Sequence, residues 1–177
     1  MKNRFFLLAS VPAAIIGCAA YAETYFTVAQ VQALMFPGQT LTEDFRKMTD
    51  AQKQEIENRS NTNVEHHKVK LWRAPDGGAL MVDQVTGKHE YITYAVAIDK
   101  NGAVRDIEIM DYRETYGGQI KDASWRQQFV GKTLDSPLTL EKDIRNISGG
   151  TLSARHITDG VRRLLTTYAV LYNNGRQ

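Results

Sequence analysis

The sequence has a single cysteine, Cys18, so it has no second thiol for an intramolecular disulfide. Metal sites built on paired cysteines and haem attached through C-x-x-C-H are therefore excluded. The chain also has no large excess of either charge, since its 177 residues include 22 Lys and Arg and 20 Asp and Glu. Without a basic field or an acidic tail, we expect no nucleic-acid partner.

Several sequence motifs of enzymes are absent as well. There is no G-x-S-x-G elbow for a nucleophilic serine, no Walker loop, and no G-x-G-x-x-G that opens a nucleotide-binding βαβ unit. His66 and His67 are adjacent and would point to opposite faces of a strand, so we expect no metal site there. The 42% hydrophobic and 24% charged residues are typical of one globular domain.

The N-terminus carries the three parts of a secretory signal peptide. Lys2 and Arg4 precede an uncharged run, Phe5 to Ala22, which ends in the small-residue site Ala20-Tyr21-Ala22. The pattern predicts a signal peptide over residues 1–22 and a periplasmic or otherwise exported protein. Two alternatives rank below it, namely a membrane span, and a lipoprotein anchored through Cys18.

The rest of the chain predicts a single α+β domain, a mostly antiparallel sheet with helices packed on one of its faces. We expect a helical N-terminal segment over 23–63 and the α+β domain over 64–177. In the first segment Thr27 and Gln30 form a capping box before a helix, and Thr49 and Gln52 form another. Between them a short helix is indicated by the spacing of Leu41, Phe45 and Met48.

After this segment, the spacing of apolar residues changes from a helical period to a period of two, which is typical of strands. We predict a hairpin of strands over 69–73 and 79–85, and a second hairpin over 91–99 and 104–112. A short helix capped by Asp122 follows the strands. The last helix starts near Leu152, where an apolar stripe begins that runs to Tyr172, and Asn173-Asn174-Gly175 ends it.

Two glycine-containing segments are candidates for chemistry. Ser148-Gly149-Gly150-Thr151-Leu152-Ser153 lies directly before the last helix, where free N–H groups and the helix dipole favour a phosphate. The alternative is that Ser148 or Thr151 merely caps the helix. The segment from Tyr112 to Gln119 suits a loop that closes on a flat ligand, with Trp125 nearby, or it is an ordinary connection.

These segments resemble the FMN-binding domain that occurs in the sodium-translocating NADH:quinone oxidoreductase, in Rnf complexes and in small exported flavoproteins. Ser148 to Ser153 resembles the signature S-G-A-T-x-S, with Gly150 in place of Ala. Glu114 to Gly118 resembles the E-T-x-G-x-G loop, and Phe129 to Lys132 the F-x-G-K segment. An Asp of the signature, three residues before Ser148, is replaced by Arg145, and Asp143 lies two places earlier.

The resemblance implies that FMN is the cofactor and that Thr151 is esterified to its phosphate by a flavinyltransferase that uses FAD. Ser148, Gly149 and Gly150 would shape the turn, and the N–H groups of Leu152 and Ser153 would meet the phosphate. Residues implied to border the flavin ring are Glu114, Tyr116, Gly117 and Gly118. His89 and His156 are further candidates for contacts with flavin or phosphate.

The sequence therefore predicts an exported electron carrier with a membrane or periplasmic redox partner. It carries no visible general base or nucleophile triad, so a carrier is favoured over an enzyme with its own substrate. Two alternatives stay open, a flavin-dependent reductase of a small molecule and a non-redox assembly module of a membrane redox complex.

Overall fold

A computed structural model describes residues 25–172, which form an α+β fold around one mostly antiparallel sheet. The sheet has six strands, and its main path runs in the order β1-β3-β4-β5-β6, with β2 paired to the same strand, β3, as β1. The strands are β1 (Thr42–Glu43), β2 (Arg46–Lys47), β3 (Lys68–Arg73), β4 (Ala79–Thr86), β5 (Tyr91–Ile98) and β6 (Val104–Asp111).

Within residues 25–172, four α-helices accompany the sheet. They are α1 (Val28–Met35), α2 (Asp50–Ser60), α3 (Ala123–Arg126) and α4 (Thr151–Tyr172). The predicted capping boxes of α1 and α2 are both present, each with its Thr hydroxyl accepting from the backbone of a Gln three residues later. Asp122 precedes α3, but its side chain makes no capping hydrogen bond, so this detail of the prediction is wrong.

The larger core lies between the sheet and the helices α2 and α4. Alternate residues of the central strands point to it, such as Met81, Tyr94 and Ile107, and α4 contributes Ile157 and Val161. This is the apolar stripe that the sequence indicated for the last helix. Packing, rather than helix propensity, therefore holds α4 in place.

The opposite face of the sheet is covered by α1, which corrects the expectation that all helices lie on one face. Val31 and Met35 of this helix pack with Trp72, Leu80 and neighbouring strand residues in a second, smaller core. Strands that are apolar on both sides need a cover on both sides. The sequence of α1 predicted a helix but carried no signal for the face it would occupy.

The short helix expected around Phe45 is also wrong, because the chain forms strands β1 and β2 there. Both strands pair antiparallel with β3. Phe45 and Met48, whose spacing suggested a helix, instead pack in different places. The Phe45 ring lies edge-on to Trp72, with 4.9 Å between the ring centroids, and Met48 is buried in the larger core. Tertiary contacts with β3 override the local period.

Over residues 25–172, no helix is long and apolar enough to cross a membrane. The predicted signal peptide, Cys18 and the residues expected to end α4, Asn173-Asn174-Gly175, lie outside the described residues.

Candidate functional site at the start of helix α4

A tight turn over residues 147–150 leads into α4. The Gly150 N–H donates to the carbonyl of Ile147 at 2.9 Å, and Gly149 between them has φ of +74°, which an L side chain would adopt only with strain. The carbonyl of Gly150 then accepts the first helical hydrogen bond, from Ala154 at 3.0 Å. Gly150 is thus the N-terminal boundary of the helix, and it contributes no side-chain cap.

The first turn of α4 leaves its polar groups without partners in the described part of the chain. The N–H groups of Thr151, Leu152 and Ser153 make no hydrogen bond there, and neither do the hydroxyls of Ser148 and Thr151. Neither hydroxyl therefore caps the helix. Three free donors at the positive end of a 22-residue helix make a site for a negatively charged group.

Two glycines bring the second candidate segment against this turn. A Cβ on Gly150 would lie only 2.5 Å from the Cα of Gly117, and one on Gly117 would lie 2.9 Å from the Cα of Gly150. Gly117 also has φ of +87° and precedes a short 3₁₀ helix, Gly118–Lys121. The absence of side chains at both positions is what allows the loop to touch the start of α4.

The hydroxyl groups of Tyr112 and Ser153 also hold the loop after β6 against α4. The Tyr112 hydroxyl donates to the carbonyl of Tyr116 and lies 3.3 Å from the Oγ of Ser153 in the first turn of α4. Burial raises the pKa of Tyr112, against a lowering by the Ser153 hydrogen bond, so the ring is neutral and available to donate. The loop after β6 is therefore fixed to the helix by backbone contact and by one tyrosine.

Glu114 links the same loop to the turn between β4 and β5. Its Oε1 accepts from the N–H groups of His89 at 2.6 Å and Glu90 at 3.0 Å. Desolvation raises the pKa of Glu114, but hydrogen bonds from the backbone of Glu90, His89 and Lys88 outweigh it and leave the pKa below its usual value. A Cβ on Gly87 would lie 2.4 Å from this carboxylate oxygen and 2.9 Å from the carbonyl oxygen of Glu90, so a larger residue would displace the Glu114 side chain from its hydrogen bonds or shift the turn.

These three segments enclose a cavity of about 410 Å³, within the range of roughly 300–1,000 Å³ for small-molecule sites. Apolar surface stays open beside it, since Tyr116 is 73% exposed and Leu152 43% exposed. Lys88 stands at the rim and makes no ion pair within residues 25–172. The residues lining the cavity are Lys88, His89, Glu114, Thr115, Tyr116, Gly149, Gly150, Thr151, Leu152 and Ser153.

Most residues selected from the sequence meet in this cavity. Three of them do not line it: Ser148 is exposed on the turn, while Gly117 and Gly118 lie in the loop behind the wall. Lys88 and Thr115 line the cavity but were not selected from the sequence. Their signal is weak, because a lone lysine in a turn and a threonine in a loop are common, and only the fold brings them to α4.

Other candidates fall outside the cavity. Trp125 is buried in the larger core, where its indole N–H donates to the carbonyl of Arg145, so it does not close on a ligand. His156 donates from Nδ1 to the carbonyl of Thr86. His89, by contrast, does line the cavity. Residues 25–172 contain no group of three His, Cys, Asp or Glu able to hold a metal ion.

Asp143 does not replace the acidic residue that the signature has at the position of Arg145. Its carboxylate accepts from the Lys132 ammonium at 2.9 Å and from the backbone N–H groups of Leu138 and Thr139. It therefore fixes the loop before the turn. The Arg145 side chain is exposed, and its one hydrogen bond in the described part of the chain is a long one, 3.4 Å to the carbonyl of Ser124.

Comparison with known proteins agrees with this geometry. Residues 87–166, from the turn held by Glu114 to the last third of α4, match the model of the FMN-binding domain family. This segment is an FMN-binding domain. The comparison with curated proteins gives no match.

The described residues fit FMN. The unpaired N–H groups at the start of α4 suit its phosphate, and the open apolar surfaces of Tyr116 and Leu152 suit a flat aromatic ring. Lys88 adds a positive charge at the rim for an anionic cofactor. The chain is thus an FMN-binding protein, and the cavity where the loop after β6 meets the start of α4 is the candidate site for its cofactor.

Proposed function

We propose that this protein is an exported electron carrier that holds FMN covalently, through a phosphoester at the Oγ of Thr151. One observation carries the proposal: the Thr151 hydroxyl has no hydrogen-bond partner within the described residues and lines a cavity beside three free N–H groups. A negatively charged phosphoester at this position would be stabilised by those donors and by the helix dipole.

Each residue of the site has a defined task in this proposal. The N–H groups of Leu152 and Ser153 would bind the phosphate, and Gly149 with Gly150 would keep the turn free of side chains. Tyr116, Glu114, Gly117 and Gly118 would border the ring, directly or as its supporting wall. When bound, FMN supplies the one- or two-electron chemistry, while the protein fixes its position and excludes water from one side.

The attachment needs a separate enzyme, a flavinyltransferase that uses FAD. In a balanced reaction the Thr151 oxygen gains the FMN phosphoryl group and loses its proton, and AMP leaves from FAD. A tethered cofactor suits a protein outside the cytoplasm, since it has no dissociation equilibrium through which FMN could be lost. The redox partner would be a membrane or periplasmic protein.

The attachment is tested by co-expressing the chain with a flavinyltransferase and denaturing the purified protein. We expect yellow absorbance and the mass of one FMN ester on the peptide that contains Thr151, and loss of both in Thr151→Val. Thr42→Val is the matched control, because it makes the same substitution at an exposed strand residue outside the site and should leave the ester in place. An ester that persists in Thr151→Val contradicts the assignment, and FMN released on denaturation of the wild type contradicts covalent binding.

Arg145 offers a sharper test of recognition by the transferase. Because its side chain is exposed and weakly bonded, Arg145→Asp restores the acidic residue of the signature with little effect on the fold. We expect faster attachment of FMN in this variant, measured as ester formed over time by mass spectrometry. Equal rates in both proteins would mean that this position does not guide the transferase.

Export is tested on the full chain by fractionating cells and determining the N-terminus. The proposal expects the protein outside the cytoplasmic membrane with Glu23 as its first residue. An N-terminus at a lipid-modified Cys18 would replace the soluble carrier by an anchored one. Retention of residues 1–22 in the cytoplasm would overturn export while leaving the flavin site untouched.

A further inference from the structure

A second cavity, of about 570 Å³, lies where β3 and β4 separate. The two strands are paired from Arg73↔Ala79 to Lys70↔Val82, and the ladder stops there. Strand β4 continues to Thr86 in register with β5, so the backbone after Val82 has no strand partner on the β3 side. The cavity occupies this gap in the sheet and reaches α4.

Arg163 of α4 takes the place of the missing strand contacts. Its Nη2 donates to the carbonyl of Gln84 at 3.0 Å and to the Asp83 carboxylate at 2.7 Å, and its Nη1 donates to the carbonyl of Asn63 at 2.9 Å. The guanidinium is largely buried, and its charge is balanced by Asp83. This side chain closes the inner end of the gap and leaves no net charge there.

The lining of the cavity combines apolar residues, most of them buried in the larger core, with exposed cations. Lys68 and Lys70 are exposed, and their ammonium groups make no hydrogen bond or ion pair within residues 25–172. Glu65 is the one carboxylate of the lining outside the Arg163 pair. A second carboxylate, that of Asp50, lies 2.9 Å from the Nε2 of the lining residue His67, so Lys68 and Lys70 provide two ammonium groups without direct partners rather than an excess of positive charge. The apolar walls are formed by Met48, Val64, Val69, Val82 and Leu164.

We propose that this cavity binds a small amphipathic carboxylate, with its apolar body between the valine and leucine side chains and its carboxylate at Lys68 and Lys70. An apolar lining with a few placed polar groups is typical of small-molecule sites, and the volume falls within their range. The site is separate from that for FMN, because Arg163 lies twelve residues from Thr151, about 18 Å along a helix. The proposal therefore stands independently of covalent attachment.

The probe is octanoate, titrated into the protein with FMN bound and followed by methyl NMR and calorimetry. We expect saturable binding with shifts at the methyl groups of Val69, Val82 and Leu164. Octanol, which has the same apolar chain without the charge, should bind several-fold more weakly, and acetate should not bind measurably. Octanol binding as tightly as octanoate, or shifts confined to other methyl groups, would overturn the proposal.

Variants separate the charge from the apolar cavity. The double variant Lys68→Gln, Lys70→Gln should weaken octanoate binding about five-fold and leave octanol unchanged, since exposed ion pairs contribute modestly. Lys142→Gln is the matched control, an exposed lysine elsewhere, and should change neither ligand. Val82→Trp fills the gap and should abolish both. Unchanged octanoate binding in the double lysine variant contradicts the assigned carboxylate position.

Discussion

Backbone groups without helical or sheet hydrogen bonds occur at two places along helix α4, its N-terminus and the gap between β3 and β4. Only at the second place does a side chain satisfy them. At the N-terminus of α4, glycines keep side chains away, and the N–H groups of residues 151–153 stay unpaired in the described part of the chain. Twelve residues later, Arg163 reaches into the gap between β3 and β4 and donates to the carbonyls of Asn63 and Gln84. Unpaired backbone groups mark a ligand site only where the fold supplies no side chain to satisfy them.

The largest expected effect comes from removing the side chain that closes the gap. Arg163→Met leaves the Asp83 carboxylate and two carbonyls without their partner, so we expect the free energy of unfolding to fall by roughly 2–4 kcal/mol. Urea denaturation measures the change. Arg155→Met, an exposed arginine of the same helix, is the control and should change stability by less than about 0.5 kcal/mol.

Adding Asp83→Leu to Arg163→Met separates charge from packing. The double variant no longer holds an unpaired carboxylate, so it should regain part of the lost stability. If the double variant is less stable than Arg163→Met, the arginine acts through its packing rather than through its charge.

The glycine contact at the other end of α4 gives the next effect. Gly150→Ala places a Cβ 2.5 Å from the Cα of Gly117, so the loop must move away from the helix. We expect a loss of about 1–3 kcal/mol in stability and a higher Kd for FMN in the absence of the transferase, measured by fluorescence titration. This effect would arise even though the signature that the sequence resembles has alanine at this position.

Gly149→Ala is the matched control for that variant. Nothing lies within 4 Å of a Cβ at this position, but φ is +74°, so the substitution introduces backbone strain without a collision. We expect about 1 kcal/mol of destabilisation and an FMN affinity closer to that of the wild type. Equal losses of affinity in both variants would show that contact with Gly117 is not what shapes the cavity.

The smallest effect concerns the carboxylate that ties the loop to the β4–β5 turn. The pKa of Glu114 is lower in the folded protein than its ordinary value of 4.5, so its contribution to stability is present above that pH and is lost as the pH falls through the folded pKa. Glu114→Gln should cost about 1 kcal/mol near pH 7. The difference from the wild type should shrink as the pH falls below 4.5 and vanish once the pH is below the folded pKa, as followed by denaturation at several pH values.

A difference that stays constant with pH would contradict the role of the charge. It would mean that the shape of the Glu114 side chain, rather than its ionisation, holds the turn.

Local features were predictable from the sequence because they depend on neighbouring residues. The capping boxes at Thr27 and Thr49 follow from side chains three positions apart. Both central hairpins follow from alternating apolar residues on either side of glycine-containing turns, and the turn before α4 follows from its two adjacent glycines. The same holds for half of the residues lining the cavity around Thr151, since they belong to one short segment, Gly149 to Ser153. The error around Phe45 arose because three apolar residues can show a helical period by chance.

Outside the short strands β1 and β2, the order of helices and strands and the residues that begin α4 follow from local sequence, because hydrogen bonding and periodicity along the chain are local. The tertiary structure alone decided that α1 covers the other face, that Lys88 and Gly117 reach the start of α4, and that Arg163 closes the sheet. These contacts join residues far apart in the chain. Their partners are chosen by packing of whole elements, which no local pattern encodes.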